Sequence, residues 1–513
     1  HLRQLTAEPD RLARFSHKAA GLFYDYSRQR LDADALDLLL ELASQSGVEA
    51  RFRQMHAGEV VNVTEGRAAL HTVARTGDDT PVMVSGVDAN AELRRVRGEI
   101  AEFAAKVHGG ELKGGSGKTF RHVVVVGIGG SYLGTEFVAT ALSAFADKGV
   151  QLHFLANVDI HNFGAIAREI ELEATLWVVI SKSYTTAETL ANETQARALM
   201  AEAGLDAARH LVTVTAKGSP GDDPAAVNLQ SFHMFDFIGG RYSVSSAVGG
   251  VPLSLLLGAE SFERFLQGAA EMDAHALSAP SDENLPLLAA LISVWNASFL
   301  GYAEQGIIPY AQPLAKLAPH IQQLNMESNG KSVTIAGTPL KTPAGIIIFG
   351  EPGTNAQHSF FQLAHQGRPF PIDFIGVIKP QYPGYDTRSR GVTNHQELWA
   401  NMMAQANALA LGKESAATER AFSGNRPSST LVLESLEPED VGRLLAFYEA
   451  RTVYEAFLWG INPFDQFGVE LGKVMAGDIR TQMAARNKDD NHSFDACDPI
   501  TSFYLETLFQ GHL

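Results

Sequence analysis

The chain has 513 residues, of which 45% are hydrophobic and 19% are charged, and its formal net charge is -17. This length predicts two or three domains, and the acidic balance argues against nucleic acid as a ligand because nucleic-acid binding needs a basic face. A small anion is compatible with this charge, since a few local donors suffice to bind a phosphate group. The single cysteine excludes an intrachain disulfide, as expected for a cytoplasmic protein, and no apolar run approaches the ~20 residues of a membrane span.

The first half of the chain is predicted to combine helices with a parallel β-sheet. Its first ~100 residues favour helix, with apolar residues at helical spacing in segments such as DALDLLLELAS. A run of β-branched residues at 123–126 is typical of a strand that is buried on both faces of a parallel sheet. The segments QLHFLANVD, TLWVVIS and HLVTVTA continue the strand pattern, with amphipathic helical stretches between them.

A second α/β half is predicted further along the chain. Residues from about 261 to 305 are predicted to be helical, and AGIIIFG and FPIDFIGVI are the clearest strands after them. The last ~115 residues are predicted to be mainly helical. In open α/β sheets ligands bind at the carboxyl ends of the strands, so the polar loops after the predicted strands are the candidate binding sites.

Two glycine–lysine segments resemble nucleotide-binding P-loops but lack a required glycine. In GGSGKT, which ends at Thr119, the position of the first glycine is Leu112, and the segment precedes a strand instead of following one. In SNGKS the corresponding position is Asn325. We therefore reject both segments as nucleotide sites.

The loop GIGGSYLG stands where a dinucleotide-binding loop would stand, but Tyr132 replaces the third glycine of that fingerprint. A nicotinamide oxidoreductase would need the complete fingerprint, with Asp159 as the candidate acid after the second strand. The loop better fits one phosphate group held by Gly130, by Ser131 as the N-cap residue of the next helix, and by the helix N-terminus itself. A tight strand–helix turn without a ligand is the alternative.

A hydroxyl-rich loop, SKSYTTAET, follows the next predicted strand. Four hydroxyl groups could surround an anion as neutral donors, those of Ser181, Ser183, Thr185 and Thr186. Lys182 is the alternative anion-binding group and carries a charge. Hydroxyl-rich helix caps are common, so this loop alone is a moderate signal. Two such loops at the ends of successive parallel strands favour a sugar phosphate as the ligand.

Other segments carry single side chains with catalytic potential. Arg241 follows two glycines and could stabilise negative charge on a ligand or form an ordinary ion pair. His358 follows a glycine-containing turn, and His365 comes seven residues later, so the two could share a helical face; neither has a metal-ligand neighbourhood. Glu327 stands at the start of a predicted polar turn in QQLNMESNGKSV, and Lys473 ends INPFDQFGVELGK; residues of these two types usually lie on the surface.

Taken together, these segments resemble the glucose-6-phosphate isomerase (phosphoglucose isomerase) family over nearly the whole chain. The matching stretches occur in the family's order and are NVTEGRAALH, GIGGSYLG, SKSYTTAET, GGRYS, QQLNMESNGKS, GEPGTNAQHSFFQLAHQG, GNRPS and INPFDQFGVELGK. Ser183 and Tyr184 stand where the family usually has threonine and an aromatic residue, so a hydroxyl and an aromatic ring remain. Tyr132 departs from an aspartate that is common in the family.

The resemblance implies an α/β fold of two sugar-isomerase (SIS) domains, each an α-β-α sandwich with a parallel sheet, plus helical N- and C-terminal segments. The implied boundaries are 1–100 for the helical N-terminal segment, which packs on the large domain, 101–285 for the small domain, 286–480 for the large domain and 481–513 for the tail. The resemblance also implies a cytoplasmic homodimer whose active sites lie at domain and subunit interfaces.

The roles of individual residues follow from the same resemblance. Glu327 would be the catalytic base and Arg241 the stabiliser of the enediolate, and His358 and Lys473 would open the sugar ring. The substrate-binding residues would be Gly130, Ser131, Ser181, Lys182, Ser183, Tyr184, Thr185, Thr186, Gln323 and Gln466.

The implied reaction is the reversible aldose–ketose isomerisation of D-glucose 6-phosphate to D-fructose 6-phosphate through ring opening and a cis-enediol. One carboxylate can carry a proton from C2 to C1 on the same face of the intermediate, so neither a metal nor a redox cofactor is needed. Another SIS-family isomerase or a sugar-phosphate-binding regulatory module is the alternative. A regulatory module would keep the hydroxyl-rich loop but would not need Glu327, His358 or Lys473.

Overall fold

Two β-sheets of five and six strands organise the protein, whose computed structural model describes residues 1–226 and 228–513. Two pairs of very short strands form separate hairpins. The strands are β1 (Ser16–Ala19), β2 (Leu22–Asp25), β3 (Met83–Val84), β4 (Val87–Asp88), β5 (His122–Val126), β6 (Gln151–Leu155), β7 (Thr175–Ile180), β8 (Leu211–Ala216), β9 (Gln230–Met234), β10 (Glu304–Pro309), β11 (Ile347–Phe349), β12 (Ile372–Val377), β13 (Arg388–Ser389), β14 (Val392–Thr393) and β15 (Ser428–Leu433).

Helices connect the strands and cover the two sheets. They are α1 (Leu2–Leu5), α2 (Arg11–Arg14), α3 (Ala33–Ser46), α4 (Val48–His56), α5 (Ala89–His108), α6 (Leu133–Ala141), α7 (Ile160–Glu169), α8 (Ala187–Glu202), α9 (Ala247–Leu257), α10 (Ala259–Ser278), α11 (Leu285–Val294), α12 (Leu317–Asn329), α13 (Phe361–Gln366), α14 (Asn394–Leu411), α15 (Pro438–Trp459), α16 (Glu470–Arg486) and α17 (Pro499–Gln510). The helix predicted in DALDLLLELAS is confirmed as α3.

The first sheet is parallel throughout, with the strand order β6-β5-β7-β8-β9. Val123 and Val125 pack in a core with α5 and α9, whereas Val124 and Val126 pack in a core with α7 and α8 on the opposite face. The chain runs from β5 to β6 on one side of β5 and then returns to β7 on the other side. In open α/β sheets ligands bind in the crevice at such a reversal, which here corresponds to the carboxyl ends of β5 and β7.

The second sheet has the strand order β1-β2-β15-β12-β10-β11 and is mixed. Strands β11, β10, β12 and β15 run parallel, whereas β2 is antiparallel to β15 and β1 is antiparallel to β2. Helices α13 and α14 cover one face, and α10, α11, α12 and α15 cover the other. The predicted fold class is therefore confirmed, with an antiparallel N-terminal hairpin added to the second sheet.

Several strands lie in regions that the sequence predicts to be helical, and the prediction is wrong at those points. The β1–β2 hairpin lies within the N-terminal region; its turn residues Ala20 and Gly21 have φ angles of 42° and 73°, and alanine is an unusual residue at such a position. Strand β10 begins at Glu304, inside the second predicted helical region, and β15 interrupts the C-terminal one. Each of these strands is short and gains its burial from segments that are distant in sequence.

The chain divides into two compact bodies, His1–Phe464 and Asp465–Leu513. The first contains both sheets, and the second contains α16 and α17, with the rings of Phe494 and Phe509 packed 5.6 Å apart. Over the described ranges, no helix has both the length and the apolar character that a membrane crossing requires. The domain boundaries at residues 100, 285 and 480 stay a prediction.

Helix α15 contributes to a buried ion cluster. The guanidinium of Arg75 donates to the two carboxylate oxygens of Asp273, at 2.5 and 2.7 Å, and also to Glu449. One cation therefore faces two carboxyl groups in a dry interior. Burial raises the pKa of Asp273 and raises the pKa of Glu449 to about 7, because a second buried negative charge is poorly solvated.

We predict that Glu449→Gln gains stability relative to the wild type as the pH rises from 5 to 8. The unfolded Glu449 carboxyl ionises near its ordinary pKa of 4.5, but the folded one holds its proton to about pH 7. Glu449 thus lowers the free energy of unfolding of the wild type over this interval, on the order of 2 kcal/mol, and the amide variant lacks this contribution. Urea denaturation of both proteins at several pH values measures the difference, and a difference that is independent of pH would contradict the prediction.

Candidate active site

The crevice of the first sheet lies between two loops that the sequence singles out. Residues 127–131 follow β5, and the hydroxyl-rich loop at 181–186 follows β7, which is the neighbouring strand. The carboxyl ends of adjacent parallel strands lie at the same edge of a sheet, so both loops face the crevice. Strand β6 lies between β5 and β7 along the chain, so β5 and β7 are neighbours in the sheet and not successive strands as predicted. The predicted proximity of the two loops agrees with the topology.

Ser131 does not cap the next helix, and that prediction is wrong. It ends a short 3-10 turn, Gly129–Ser131, and α6 begins only at Leu133. Tyr132 separates the two elements because its φ of -142° is not helical, and it makes no side-chain cap. The extra turn places Gly130 close to the backbone of Gly240 and Arg241.

Glycine is required where this turn approaches other segments of the first body. A Cβ on Gly130 would lie 2.3 Å from the carbonyl carbon of Gly240 and 2.7 Å from the backbone nitrogen of Arg241, closer than any side chain allows. A Cβ on Gly129 would lie 3.2 Å from the amide nitrogen of Gln323 on α12. The turn after β5 is thus in direct contact with the segment that carries Arg241.

The side chain of Arg241 is 1% exposed, and each of its three nitrogens is held. Its Nη1 donates to Oε1 of Glu327 at 3.1 Å, and its Nε donates to the hydroxyl of Ser328 at 2.7 Å. Its Nη2 donates to the carbonyl oxygen of Pro463. A buried cation is stable only when it is paired and hydrogen-bonded, and these contacts satisfy both requirements.

Glu327 lies in the last turn of α12, which ends at Asn329, and not at the start of a turn as predicted. Its Oε2 accepts from the amide of Gln323 at 2.9 Å, because residues four positions apart share one face of a helix. The Glu327 side chain remains 24% exposed. A small molecule can therefore reach a carboxylate whose two oxygens are already oriented.

Two side chains beside Arg241 and Glu327, those of Tyr242 and Ser328, were not predicted from the sequence. The hydroxyl of Tyr242 lies 2.9 Å from that of Ser328, which itself accepts from Arg241. Burial raises the pKa of Tyr242 to about 12, so its hydroxyl stays neutral. Their only sequence signal is that each directly follows a candidate residue, Ser328 after Glu327 and Tyr242 after Arg241.

The hydroxyls of the loop after β7 face one another. The hydroxyl of Ser181 donates to that of Thr186 at 3.3 Å, and those of Ser183 and Thr185 lie 2.6 Å apart. Thr186 is also the N-cap residue of α8, yet its side chain makes no capping hydrogen bond. The first backbone N–H groups of a 16-residue helix thus stand beside a cluster of hydroxyls.

Lys182 and Tyr184, from the same loop, are engaged elsewhere. The ammonium of Lys182 lies 3.2 Å from the carboxylate of Asp236, and burial lowers the pKa of Lys182 although Asp236 opposes this effect. Tyr184 is buried with a φ of 53°, and a Cβ on Gly221 would lie 2.3 Å from its ring. Its ring therefore has a packing contact with the Gly221 segment.

His358 ends a 3-10 turn, Asn355–His358, and its side chain is exposed. Helix α13 begins only at Phe361, so the predicted helical face shared with His365 does not form. Between residues 1 and 464, leaving aside residue 227, we find no hydrogen bond to the His358 ring.

Lys473 and Gln466 belong to the second body. Lys473 lies near the start of α16 and is exposed, and Gln466 precedes a 3-10 turn, Phe467–Val469, and is half-buried. The structure thus brings Glu327, Arg241 and Gln323 together within the first body. Over the part of the chain that is described, no three ligand-type side chains are grouped to hold a metal ion.

Comparisons with known proteins agree on one family. The family model described as phosphoglucose isomerase matches residues 25–498. The glucose-6-phosphate isomerase of Desulfosudis oleivorans is 65% identical over 512 residues, covering 99% of this chain and 94% of that protein. The cytosolic glucose-6-phosphate isomerase of Arabidopsis thaliana is 45% identical over 501 residues, covering 94% and 89%. A crystal structure of a glucose-6-phosphate isomerase from Chlamydia trachomatis superposes with a TM-score of 0.89 at 40% identity, covering 94% of this chain and 93% of that one.

We predict that Gly130→Ala lowers turnover at least ~10-fold and also lowers thermal stability, because the new methyl group pushes the loop away from Gly240 and Arg241. Gly164→Ala is the matched control, since Gly164 lies in α7 and its Cβ would meet nothing within 4 Å. The control should keep full activity and gain up to ~1 kcal/mol of stability. Steady-state kinetics and thermal melts measure both effects, and wild-type kinetics in Gly130→Ala would refute the close-approach argument.

Proposed function

This chain belongs to the phosphoglucose isomerase family, and we propose that it interconverts D-glucose 6-phosphate and D-fructose 6-phosphate, a reversible aldose–ketose isomerisation of glycolysis and gluconeogenesis. The observation that carries the proposal is the contact between a reachable carboxylate, Glu327, and the buried guanidinium of Arg241. A proton carrier and a fixed positive charge thus stand side by side, within the body that also carries the two loops proposed to bind a phosphate group.

In the proposed mechanism Glu327 removes the proton from C2 of the open-chain sugar and returns it to C1. A single carboxylate can do both because the two carbons present the same face of a cis-enediol. Negative charge develops on the enediolate oxygen, and the permanent charge of Arg241 stabilises it. Because Arg241 is already fixed at all three nitrogens, little reorganisation is needed when that charge appears.

The phosphate group is proposed to bind in the crevice after β5 and β7. Ser181, Ser183, Thr185 and Thr186 supply hydroxyls, and the N-terminus of α8 supplies backbone N–H groups and a favourable dipole. Gly130 and Ser131 come from the neighbouring loop. Lys182 contributes less to phosphate binding than the hydroxyls do, because Asp236 already compensates its charge.

Gln323 is proposed to line the sugar, and Gln466, in the second body, stays a predicted sugar-binding residue. The amide nitrogen of Gln323 holds Glu327, whereas its Oε1 is buried with no hydrogen-bond partner inside the described ranges. This oxygen can accept from a sugar hydroxyl once the Gln323 side chain turns toward the ligand.

His358 and Lys473 are proposed to open the sugar ring, with His358 supplied by a second copy of the chain in a homodimer with shared active sites. A histidine can donate or accept a proton near neutral pH, and a lysine can donate to a ring or hydroxyl oxygen. The exposed ring of His358 supports a role that a partner subunit completes.

We also propose a cytoplasmic location, in keeping with the names of the plant relatives.

The competing functions fit the site less well. A nicotinamide oxidoreductase needs the third glycine that Tyr132 replaces. A regulatory module that only binds a sugar phosphate does not need a carboxylate that is oriented by both Gln323 and Arg241. Oriented catalytic groups of this kind favour the enzyme.

We predict that the wild type forms glucose 6-phosphate from fructose 6-phosphate in an assay coupled to a glucose-6-phosphate dehydrogenase, and that Glu327→Gln loses at least ~10²–10⁴-fold in kcat. The amide has nearly the same shape but cannot accept the C2 proton. The Michaelis constant should change little, because the phosphate site is untouched. Near-normal turnover in Glu327→Gln would refute the assignment of the base, and an inactive wild type would refute the function.

We predict that mixing two inactive variants, Glu327→Gln and His358→Ala, restores activity. In a dimer with shared sites, a hybrid has one site with both defects and one site with neither. Random assortment after mild denaturation and refolding should therefore recover about a quarter of the wild-type activity per chain. If the mixture stays as inactive as its components, each site draws both residues from one chain.

A further inference from the structure

A buried carboxylate binds the last turn of α12 on the side opposite to Glu327. Glu455 on α15 has no exposed surface, and its Oε2 accepts from the amide of Asn325 at 2.5 Å and from that of Asn329 at 2.9 Å. Both asparagines are buried, and the amide oxygen of each lacks a hydrogen-bond partner within the described residues. One carboxylate therefore orients two side chains of α12.

Helix geometry places these asparagines on the side opposite to Glu327. Residues two positions apart are separated by about 200° around the helix axis, so Asn325 and Asn329 share a face that points away from Glu327. The side of the turn that carries Glu327 contacts Arg241, and the side that carries the two asparagines contacts Glu455. Because this is the last turn of α12, its final carbonyl groups lack intrahelical partners, and a side-chain anchor keeps it from fraying.

The anchor is itself fixed to the second sheet. Oε1 of Glu455 accepts from Nε of Arg451 at 2.8 Å. Arg451 in turn donates to Asp373 on β12 at 2.7 Å and to Gln305 on β10 at 2.5 Å. A path of buried, charge-assisted hydrogen bonds thus runs from two central strands to the turn that carries Glu327.

We propose that Glu455 is a positioning residue for the isomerisation, which makes this inference rest on the function proposed above. By clamping Asn325 and Asn329, it fixes the carboxylate of Glu327 between Arg241 and Gln323. A single proton carrier must reach C2 and then C1 of the same bound sugar, and a displacement of about 1 Å can slow such a step ~100-fold. Phosphate binding depends on the loops after β5 and β7 and is left intact.

The test is Glu455→Gln, which keeps the side-chain size but replaces one acceptor oxygen with an amide donor. We expect kcat to fall about 10- to 100-fold, while KM stays within about threefold of the wild type. A second readout uses glucose 6-phosphate with deuterium at C2 and compares the label delivered to C1 with the label lost to water. A misplaced Glu327 loses more label to water, whereas partial unfolding removes active enzyme and leaves this ratio unchanged.

Glu449→Gln is the matched control. Glu449 lies six residues earlier on α15, is equally buried and accepts from Arg75, and within the described ranges it makes no hydrogen bond to α12. It should keep the wild-type kcat and label ratio. If Glu455→Gln does not fold, Asn325→Ala tests the same contact and leaves the Arg451–Glu455 pair in place.

The outcomes separate the two proposals. Wild-type kcat and label ratio in Glu455→Gln or Asn325→Ala would overturn the positioning role, and so would an equal loss in Glu449→Gln. An inactive wild type would instead refute the proposed function itself.

Discussion

The burial of one positive charge, that of Arg241, is the constraint on which the rest of the site depends. A guanidinium that is almost fully removed from water is stable only if its charge and its donors are matched. Glu327 supplies the charge, and Ser328 and the carbonyl of Pro463 supply the remaining acceptors. Glu327 and Ser328 are consecutive residues of α12, whereas Pro463 follows α15, so satisfying Arg241 fixes the positions of these two segments relative to its own.

The same constraint explains why the Arg241–Glu327 pair is held in place and is still accessible to a small molecule. Arg241 and Ser328 are buried and Gln323 is half-buried, whereas part of the Glu327 side chain is open to small molecules. Electrostatic catalysis gains most from charges that are fixed before the reaction begins, because they need no rearrangement in the transition state. In this protein the turn at Gly130 lies against the backbone of the Arg241 segment, and the proposed positioning residue, Glu455, lies in the buried polar network beneath α12.

The sequence predicted what local patterns can encode. The β-branched run at 123–126 identified a central strand, and the segments around Glu327 and Arg241 identified residues that the structure brings into contact. Elements whose burial comes from distant segments were missed: β15 is a short strand between helices, and β2 follows an Ala-Gly turn. Glu455 is missed for the same reason. It lies in a helical stretch where glutamate is usually exposed, and the packing of α15 against other helices leaves it without exposed surface.

The antiparallel pairing of β2 with β15 has a consequence for how the protein is made. Leu22 pairs with Leu433, so the N-terminal hairpin has to wait for about 400 further residues to leave the ribosome before its partner strand exists. Until then the β2 backbone presents unpaired N–H and C=O groups beside Tyr24, whose hydroxyl later lies 3.2 Å from that of Ser429. A nascent or prematurely terminated chain therefore carries an open strand edge near its beginning.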